Sequence, residues 1–264
     1  MNFKLIAADM DGTLLNDNKI ITEATLQVIK AAVKGGAVFV FATGRPPAAV
    51  SSYQKLIGTA FPVIAYNGAM ILDGSGSVIF EQSLSAGAAR SILRRASEYN
   101  TTAFIWSHNR LFVNKLNSRA ARYKINVITE PLLCTDEEAL IREGITKILW
   151  FDTPGRSAMF QKELAGKLTA DTTFCPSTPE YLEFFNSGVS KGRSLLRLAA
   201  SLGIKREEII AFGDNYNDLE MIEYAGLGVA MANAPEEIKA AADFVTRNNN
   251  DDGVGCALSH FLRL

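Results

Sequence analysis

Two aspartates near the start of the chain follow a short apolar run of the kind that forms a strand buried on both faces. They are Asp9 and Asp11, and Gly12 comes directly after them. Carboxylates this close repel each other unless a shared proton or a cation relieves them, and Mg²⁺ prefers such oxygen ligands. A cation would also neutralise an incoming phosphate, so that Asp9 could attack phosphorus and Asp11 could handle the leaving oxygen's proton. The alternative is an ordinary strand that ends in an Asp-Gly turn.

Three further groups of polar residues stand where elements begin or end. Thr43 and Gly44 follow the strand pattern of residues 37–42, where a hydroxyl and backbone amides could hold a phosphate or simply cap a helix. Lys191 falls in the first turn of a predicted helix, where the dipole disfavours a cation, which favours an anion-holding role over a solvated surface lysine. The last group follows the strand pattern of residues 208–213 and consists of Asp214, Asn217 and Asp218.

The elements that must position these residues start with a strand-helix-strand unit. Thr22 is the predicted N-cap of a helix that ends at Gly35, and the strand at residues 37–42 follows. Such a unit predicts parallel strands, and Pro46 is placed to begin the next helix. Because the carboxyl ends of parallel strands meet at one edge, the acids, the hydroxyl and Lys191 are expected to converge there. The acids would form an oxygen cage for Mg²⁺ beside a phosphoryl group.

The composition narrows the function classes. The 264 residues are enough for two domains, and 48% of them are apolar, so sizeable cores can form. A net charge of −1 gives no basic surface for nucleic acid or anionic lipid, and no apolar run approaches the roughly 20 residues that span a bilayer. The start Met1–Lys4 leads straight into the first strand, which leaves no room for a signal peptide. Three scattered cysteines suit the cytosol and exclude a disulfide framework.

The pattern of elements changes from about Gly74. Strands and helices then alternate irregularly, with a predicted hairpin whose turn is His108-Asn109-Arg110. Residues 84–186 are therefore predicted to form an inserted α+β domain between two parts of an α/β core, residues 1–83 and 187–264. Trp106 and Trp150 fall in strand patterns and are expected in the core of the insert.

The motifs together resemble the haloacid dehalogenase (HAD) superfamily, over nearly the whole chain. Asp9-Met10-Asp11-Gly12-Thr13 is similar to its first motif, Thr43-Gly44-Arg45 to the second, Lys191-Gly192 to the third, and Gly213–Asp218 to the fourth. The size and place of the insert resemble the cap of the Cof-type, class IIB members. The resemblance implies a doubly wound, Rossmann-like parallel-sheet core with an inserted α+β cap domain.

The resemblance also implies a role for each motif residue. Asp9 would be the nucleophile that forms an aspartyl-phosphate, and Asp11 the general acid and then the base. Metal binding is implied for the Asp9 carboxylate, the Asp11 carbonyl, Asp214 and Asp218. The phosphoryl oxygens would be held by a third set, namely Met10, Thr43, Gly44, Lys191 and Asn217.

The cap is expected to choose the substrate, because its closure would present side chains to the leaving group. By their place near the hairpin or the cap–core joints, the candidates for these contacts are His108, Arg110, Glu183 and Asn186. The alternative for each of them is a surface or hinge residue.

The sequence thus predicts a cytoplasmic, Mg²⁺-dependent phosphatase of small phosphomonoesters, either sugar phosphates or phosphorylated cofactors. It would act without a nucleic acid or membrane partner, as a monomer or homodimer. A phosphomutase on the same scaffold is the first alternative, and it would depend on a sugar bisphosphate activator. A non-enzymatic protein that binds a phosphate ligand is the second, although such a protein is expected to have lost Asp9, Asp11 or Lys191.

Overall fold

The structure is a computed structural model, and it describes residues 3–127 and 129–263. The chain divides into two compact units. The core unit is built from Met1–Arg45, Val50–Phe80 and Ser190–Leu264, and the inserted unit from Pro46–Ala49 and Glu81–Val189. The prediction that there is no signal peptide used Met1 and Asn2, and these two residues lie outside the described residues.

The strands and helices are numbered along the chain. The strands are β1 (Leu5–Ala8), β2 (Val38–Ala42), β3 (Val63–Ala65), β4 (Met70–Leu72), β5 (Val78–Glu81), β6 (Thr102–Ser107), β7 (Arg110–Val113), β8 (Leu132–Leu133), β9 (Lys147–Phe151), β10 (Thr172–Thr178), β11 (Tyr181–Asn186), β12 (Ile209–Gly213), β13 (Leu227–Ala230) and β14 (Phe244–Val245). The α-helices are α1 (Glu23–Lys34), α2 (Ser51–Ile57), α3 (Ala86–Glu98), α4 (Ser118–Val127), α5 (Glu137–Glu143), α6 (Pro154–Leu164), α7 (Lys191–Ser201), α8 (Leu219–Tyr224), α9 (Glu236–Ala241) and α10 (Gly253–Leu262).

The core unit contains a mostly parallel sheet in the order β14-β13-β12-β1-β2-β3-β4-β5. The pairs from β14 to β3 are parallel, and β4 pairs with β3 antiparallel. On one face of the sheet, Leu5 and Ala7 pack with residues of α7 and α8. Their neighbours Ile6 and Ala8 point to the other face and are also buried, so this central strand is covered on both sides. The predicted doubly wound α/β core is confirmed.

Local sequence explains where the first elements of the core begin and end. The Thr22 hydroxyl accepts a hydrogen bond from the Thr25 amide and caps α1, as predicted, and Gly35 follows the last turn. The prediction that Pro46 begins the next helix is wrong. A short 3-10 helix starts at Pro47, and α2 starts only at Ser51, with no side-chain cap. A fixed proline φ favours the first turn of a helix without requiring one.

The inserted unit is built on a six-stranded sheet in the order β10-β11-β9-β6-β7-β8. All of its pairs are antiparallel except β7 with β8. Helices α3, α5 and α6 pack on one face, where Trp150 is buried, and Trp106 is also fully buried, as expected for both. The predicted hairpin joins β6 and β7 through His108 and Asn109, which both have positive φ.

Several elements were not predicted, among them β4, β8, β10, α4 and α5. Within the described residues, no helix is both long and apolar enough to cross a bilayer.

Candidate active site

Asp9 lies at the carboxyl end of β1, beside the end of β12. The two strands are parallel and in register, with Ala8 opposite Phe212, and the Asp9 amide donates to the Phe212 carbonyl at 3.0 Å. Asp214 comes two residues after Phe212. The pairing of two buried strands therefore brings carboxylates from distant parts of the sequence to one edge of the sheet.

Lys191 connects the two acidic segments. It is the first residue of α7, and its ammonium lies 2.6 Å from Asp9 Oδ1 and 2.6 Å from Asp218 Oδ1. The side chain is 1% exposed, so it is not the solvated surface lysine that was the alternative. Burial alone would lower the pKa of Lys191, but Asp218 and Asp9 outweigh it and hold that pKa above its ordinary value. Lys191 is therefore a buried cation.

Asp218 is fully buried and closes the turn that follows β12. Its Oδ1 accepts a hydrogen bond from the Lys191 ammonium, and its Oδ2 accepts hydrogen bonds from the backbone amides of Asp214 and Asn215 at 3.0 and 3.1 Å. A β-carbon at Gly213 would lie 2.3 Å from that of Asp218, so only glycine fits where the strand meets the turn. This carboxylate thus serves both the backbone turn and the lysine.

Three carboxylates of this edge can share one cation. Asp9, Asp214 and Asp218 each offer an oxygen, and these oxygens lie within 4.8 Å of one another. Burial raises the pKa of Asp9 well above its ordinary value, and the charges of Asp218 and Asp214 add to this although Lys191 opposes it. Burial and the charge of Asp218 likewise raise the pKa of Asp214 to about 6. One ammonium does not balance three carboxylates, so an oxygen-seeking divalent cation fits the set.

Asp11 lies outside this acidic triad and has its own cations. Arg45 contacts both carboxylate oxygens at 2.7 Å in a bidentate pair, and the Lys19 ammonium lies 2.8 Å from Oδ1. Burial would raise the pKa of Asp11, but Arg45 and Lys19 outweigh it and lower that pKa to about 2. The Asp11 side chain is therefore an anion in this arrangement. Sequence reasoning quoted Arg45 within a motif but gave it no role, and it missed Lys19 altogether.

Three of the residues predicted to hold phosphate, Thr43, Gly44 and Asn217, lie around a second polar group. The Thr43 hydroxyl is buried and accepts from the Arg45 amide at 3.1 Å. Asn217 donates from Nδ2 to Asn67 Oδ1 at 3.0 Å, and the Asn67 amide donates to the Thr43 carbonyl at 2.9 Å. A β-carbon at Gly44 would come within 3.0 Å of Asn67 Oδ1. Asn67 therefore links the Thr43-Gly44 segment to Asn217. Its role was not predicted, although its position directly after a predicted core strand could have indicated it.

Thr13 is a further residue that the sequence reasoning did not single out. Its hydroxyl donates to Asp214 Oδ1 at 2.8 Å. Gly12, just before it, has a φ of +85°, and a β-carbon there would lie 2.4 Å from Asp214 Oδ2. The loop after Asp11 therefore passes close to Asp214 and orients its carboxylate.

This geometry agrees with what comparison with known proteins shows. Residues 6–258 match the family model described as haloacid dehalogenase-like hydrolase. The chain belongs to this family. It is 36% identical to YxeH of Bacillus subtilis over 262 residues, which cover 97% of each chain.

Two solved structures show the same fold over nearly the whole chain. TM0651 from Thermotoga maritima is 34% identical and has a TM-score of 0.89, with 98% of this chain and 97% of that one covered. The HAD subclass IIB sugar phosphatase BT4131 is 25% identical and has a TM-score of 0.84, with 99% and 100% covered. The chain is thus a phosphatase of the Cof-type HAD hydrolases.

In this HAD phosphatase, the four predicted cap contacts all lie in the inserted unit, where each has partners of its own. The His108 ring contacts the Glu143 carbonyl at 2.9 Å, and the guanidinium of exposed Arg110 lies over the Phe112 ring. Glu183 is buried in an ion pair with Lys147 at 2.9 Å, and Asn186 donates to the Ser83 carbonyl at 3.1 Å. These contacts do not gather the four residues into one group, and their role in substrate binding stays a prediction.

Proposed function

We propose that this HAD phosphatase is a Mg²⁺-dependent enzyme that hydrolyses small phosphomonoesters through an aspartyl-phosphate on Asp9. The observation that carries the proposal is the buried Lys191, which contacts both Asp9 and Asp218 within an edge that also holds Asp214. A lysine in this place can hold Asp9 in one orientation and then face the charge of an incoming phosphoryl group. Phosphoryl transfer needs mainly such positioning and charge neutralisation.

The carboxylates of Asp9, Asp214 and Asp218 would hold Mg²⁺, together with the Asp11 carbonyl. Once bound, the cation supplies positive charge that favours ionised carboxylates and neutralises the phosphate. Around the phosphoryl oxygens we place five groups: the Met10 amide, the Thr43 hydroxyl, the Gly44 amide, the Lys191 ammonium and the Asn217 side chain. The contact of Asn67 with Asn217 supports this placement, because it ties Asn217 to the segment that carries Thr43.

Asp11 would act as acid and base. While it is paired with Arg45 and Lys19 its carboxylate is ionised, so it is ready to accept a proton from water in the second half of the reaction. To protonate the leaving oxygen in the first half it must carry a proton, taken from solvent or from the water it deprotonated in the preceding cycle, and it must leave these cations because their charge opposes protonation. We therefore propose that Asp11 exchanges its contact with Arg45 for one with the substrate in each cycle.

We further propose that the insert at residues 84–186 is a cap domain that selects the leaving group, and that the enzyme works in the cytoplasm. Sugar phosphates are the substrate class that we favour, since BT4131, a structural relative, is a sugar phosphatase. Phosphorylated cofactors are the other class to test.

The experiment measures phosphate release from a panel of sugar phosphates and phosphorylated cofactors, with and without Mg²⁺. Asp9→Asn keeps the shape of the side chain but removes the nucleophile, so turnover is expected to disappear. Asp73→Asn, the same change in an exposed turn of the core unit, is the control and is expected to keep full turnover. Turnover that survives in Asp9→Asn would refute the proposed nucleophile. Turnover only with an added sugar bisphosphate would instead indicate a phosphomutase.

A further inference from the structure

The loop that follows Asp11 is held at two backbone carbonyls by side chains from the last part of the chain. Asn233 donates from Nδ2 to the Gly12 carbonyl at 2.8 Å. Asn249 donates from Nδ2 to the Leu15 carbonyl at 3.1 Å and to Asp17 Oδ1 at 3.2 Å. The segment between the two carbonyls is thus fixed at both ends by asparagines that follow β13 and β14.

The two asparagines are also joined to each other. The backbone amide of Asn249 donates to Asn233 Oδ1 at 3.1 Å. The Asn233 side chain therefore accepts one hydrogen bond while it donates another to the Gly12 carbonyl. Asn249 is buried, whereas Asn233 lies at the surface. A carboxamide donates from its nitrogen and accepts at its oxygen, whereas a carboxylate at position 233 would have no donor and alanine would have neither group.

The segment that they hold carries the contact to the acidic triad. Thr13 lies between Gly12 and Leu15, and its hydroxyl donates to Asp214 Oδ1 at 2.8 Å. A shift of the Gly12 carbonyl would turn the Gly12–Thr13 peptide and so move that hydroxyl. Gly12 has no β-carbon, so its backbone is conformationally permissive, and the hydrogen bond from Asn233 to its carbonyl favours one orientation of this peptide.

We propose that Asn233 and Asn249 are positioning residues for the phosphatase reaction. They act through the loop Gly12–Leu15, because they fix the Thr13 hydroxyl that orients Asp214 toward the cation site. The proposal rests on the proposed function in one respect, namely that the triad of Asp9, Asp214 and Asp218 binds Mg²⁺. Outer contacts of this kind tune metal affinity because they fix the direction in which a ligand oxygen points.

The decisive variant is Asn233→Asp. It keeps the shape and the acceptor for the Asn249 amide but loses the donor to the Gly12 carbonyl. Asn250→Asp is the control for the added charge, since Asn250 stands next to Asn249 in the loop after β14 and contacts the exposed Asp17 rather than a carbonyl of the held segment. Asn249→Ser is a second variant that removes the contact with Leu15 without a change of charge.

The first readout is the dissociation constant of Mg²⁺ alone, measured by calorimetry on the full chain without substrate. Asn233→Asp and Asn249→Ser are expected to weaken Mg²⁺ binding by about tenfold or more, and Asn250→Asp by less than about twofold. The second readout is turnover. At saturating Mg²⁺, kcat is expected to recover toward the wild-type value, because added cation can compensate for a misdirected ligand.

A role in stability alone predicts a different result. The variants would then unfold at a lower temperature while binding Mg²⁺ with the affinity of the wild-type protein, and that result would overturn the inference. Failure of both variants to fold would overturn it as well, since the asparagines would then serve the fold itself. If wild-type protein bound no Mg²⁺ and released no phosphate, the proposed function would fail first. If the wild-type protein released phosphate and Asn233→Asp bound Mg²⁺ with wild-type affinity, this inference alone would be refuted and the proposed function would stand.

Discussion

The ammonium of Lys191 lies 2.6 Å from the carboxylate of Asp9, and both side chains are buried. The two residues are 182 positions apart in the sequence, and the adjacency of α7 to the edge of the core sheet brings them together. The same ammonium contacts Asp218. One buried cation therefore contacts two acids of the triad, and its removal would take this positive charge away from both carboxylates.

Lys191→Met is accordingly expected to lower both stability and activity. Breaking a buried ion pair by removing one partner costs about 3–5 kcal/mol, since the remaining charge stays buried. Loss of this electrostatic contact is expected to reduce kcat by about 100-fold or more. Urea unfolding followed by circular dichroism gives the stability, and phosphate release gives the rate. Lys4→Met, which removes a half-exposed ion pair with Glu208, is the control and should change stability by about 1 kcal/mol at most.

Mg²⁺ is expected to raise the unfolding temperature in a way that depends on pH. The pKa of Asp214 is raised to about 6, so the metal-free folded protein binds more protons than the unfolded chain between pH 4 and 6. The contribution of Asp214 to metal-free stability therefore falls as the pH rises through this range. Bound cation reverses the effect because it favours the ionised form. The gain in unfolding temperature with Mg²⁺ should thus be larger at pH 7 than at pH 5.

Calorimetric scans at both pH values, with Mg²⁺ or with K⁺ at equal ionic strength, check this prediction. At 100 times its dissociation constant the cation should add about 2.7 kcal/mol to the free energy of unfolding. Asp214→Asn should reduce the difference between the two pH values. An equal gain with K⁺ would mean that charge screening, rather than a cation site, explains the stabilisation.

The sequence predicted which residues of the core converge because it predicted the order of strands and helices. Asp9 and Asp214 follow runs of four or five buried residues, and parallel pairing of such strands leaves little freedom in where their ends lie. The contacts of Asp11 could not be predicted in this way. Arg45 and Lys19 reach it with long side chains whose directions depend on the folded loop and not on a periodic pattern.

Contacts between distant loops were missed for a related reason. Thr13 and Asp214 are 201 positions apart, and Asn67 and Asn217 are 150 apart, so no local pattern connects them. In the inserted unit, β10 escaped prediction because its residues show no alternation of buried and exposed positions and include Pro176. Strand β4 has only three residues, too few for a periodic signal.

Arg45→Gln is expected to shift the acid limb of the pH–rate profile. The substitution removes the bidentate partner that lowers the pKa of Asp11 to about 2, so this pKa should rise toward its ordinary value. Because ionised Asp11 accepts the proton of water in the second half of the reaction, kcat should then begin to fall at a higher pH than in the wild-type protein when that half limits turnover. Lys19→Gln is the graded control, because Lys19 is more exposed than Arg45 and its effect should be smaller. An unchanged acid limb in Arg45→Gln would contradict the role of Asp11.

The buried pair of Lys147 and Glu183 offers a separate test within the inserted unit. Their side chains are 3% and 8% exposed, and Glu183 also accepts from the Ser177 hydroxyl, so Lys147→Met should destabilise this unit by about 3–5 kcal/mol. The double variant Lys147→Met, Glu183→Leu should recover most of that loss, because no lone charge remains buried. Both tryptophans of the chain lie in this unit, so their fluorescence during urea unfolding reports on it selectively. Arg94→Met, which breaks an exposed pair with Glu98, is the control, with an expected change below about 0.5 kcal/mol.

If the double variant kept its stability but lost turnover of sugar phosphates, the predicted substrate contact of Glu183 would gain support. Full turnover would indicate that Glu183 serves only the packing of the insert.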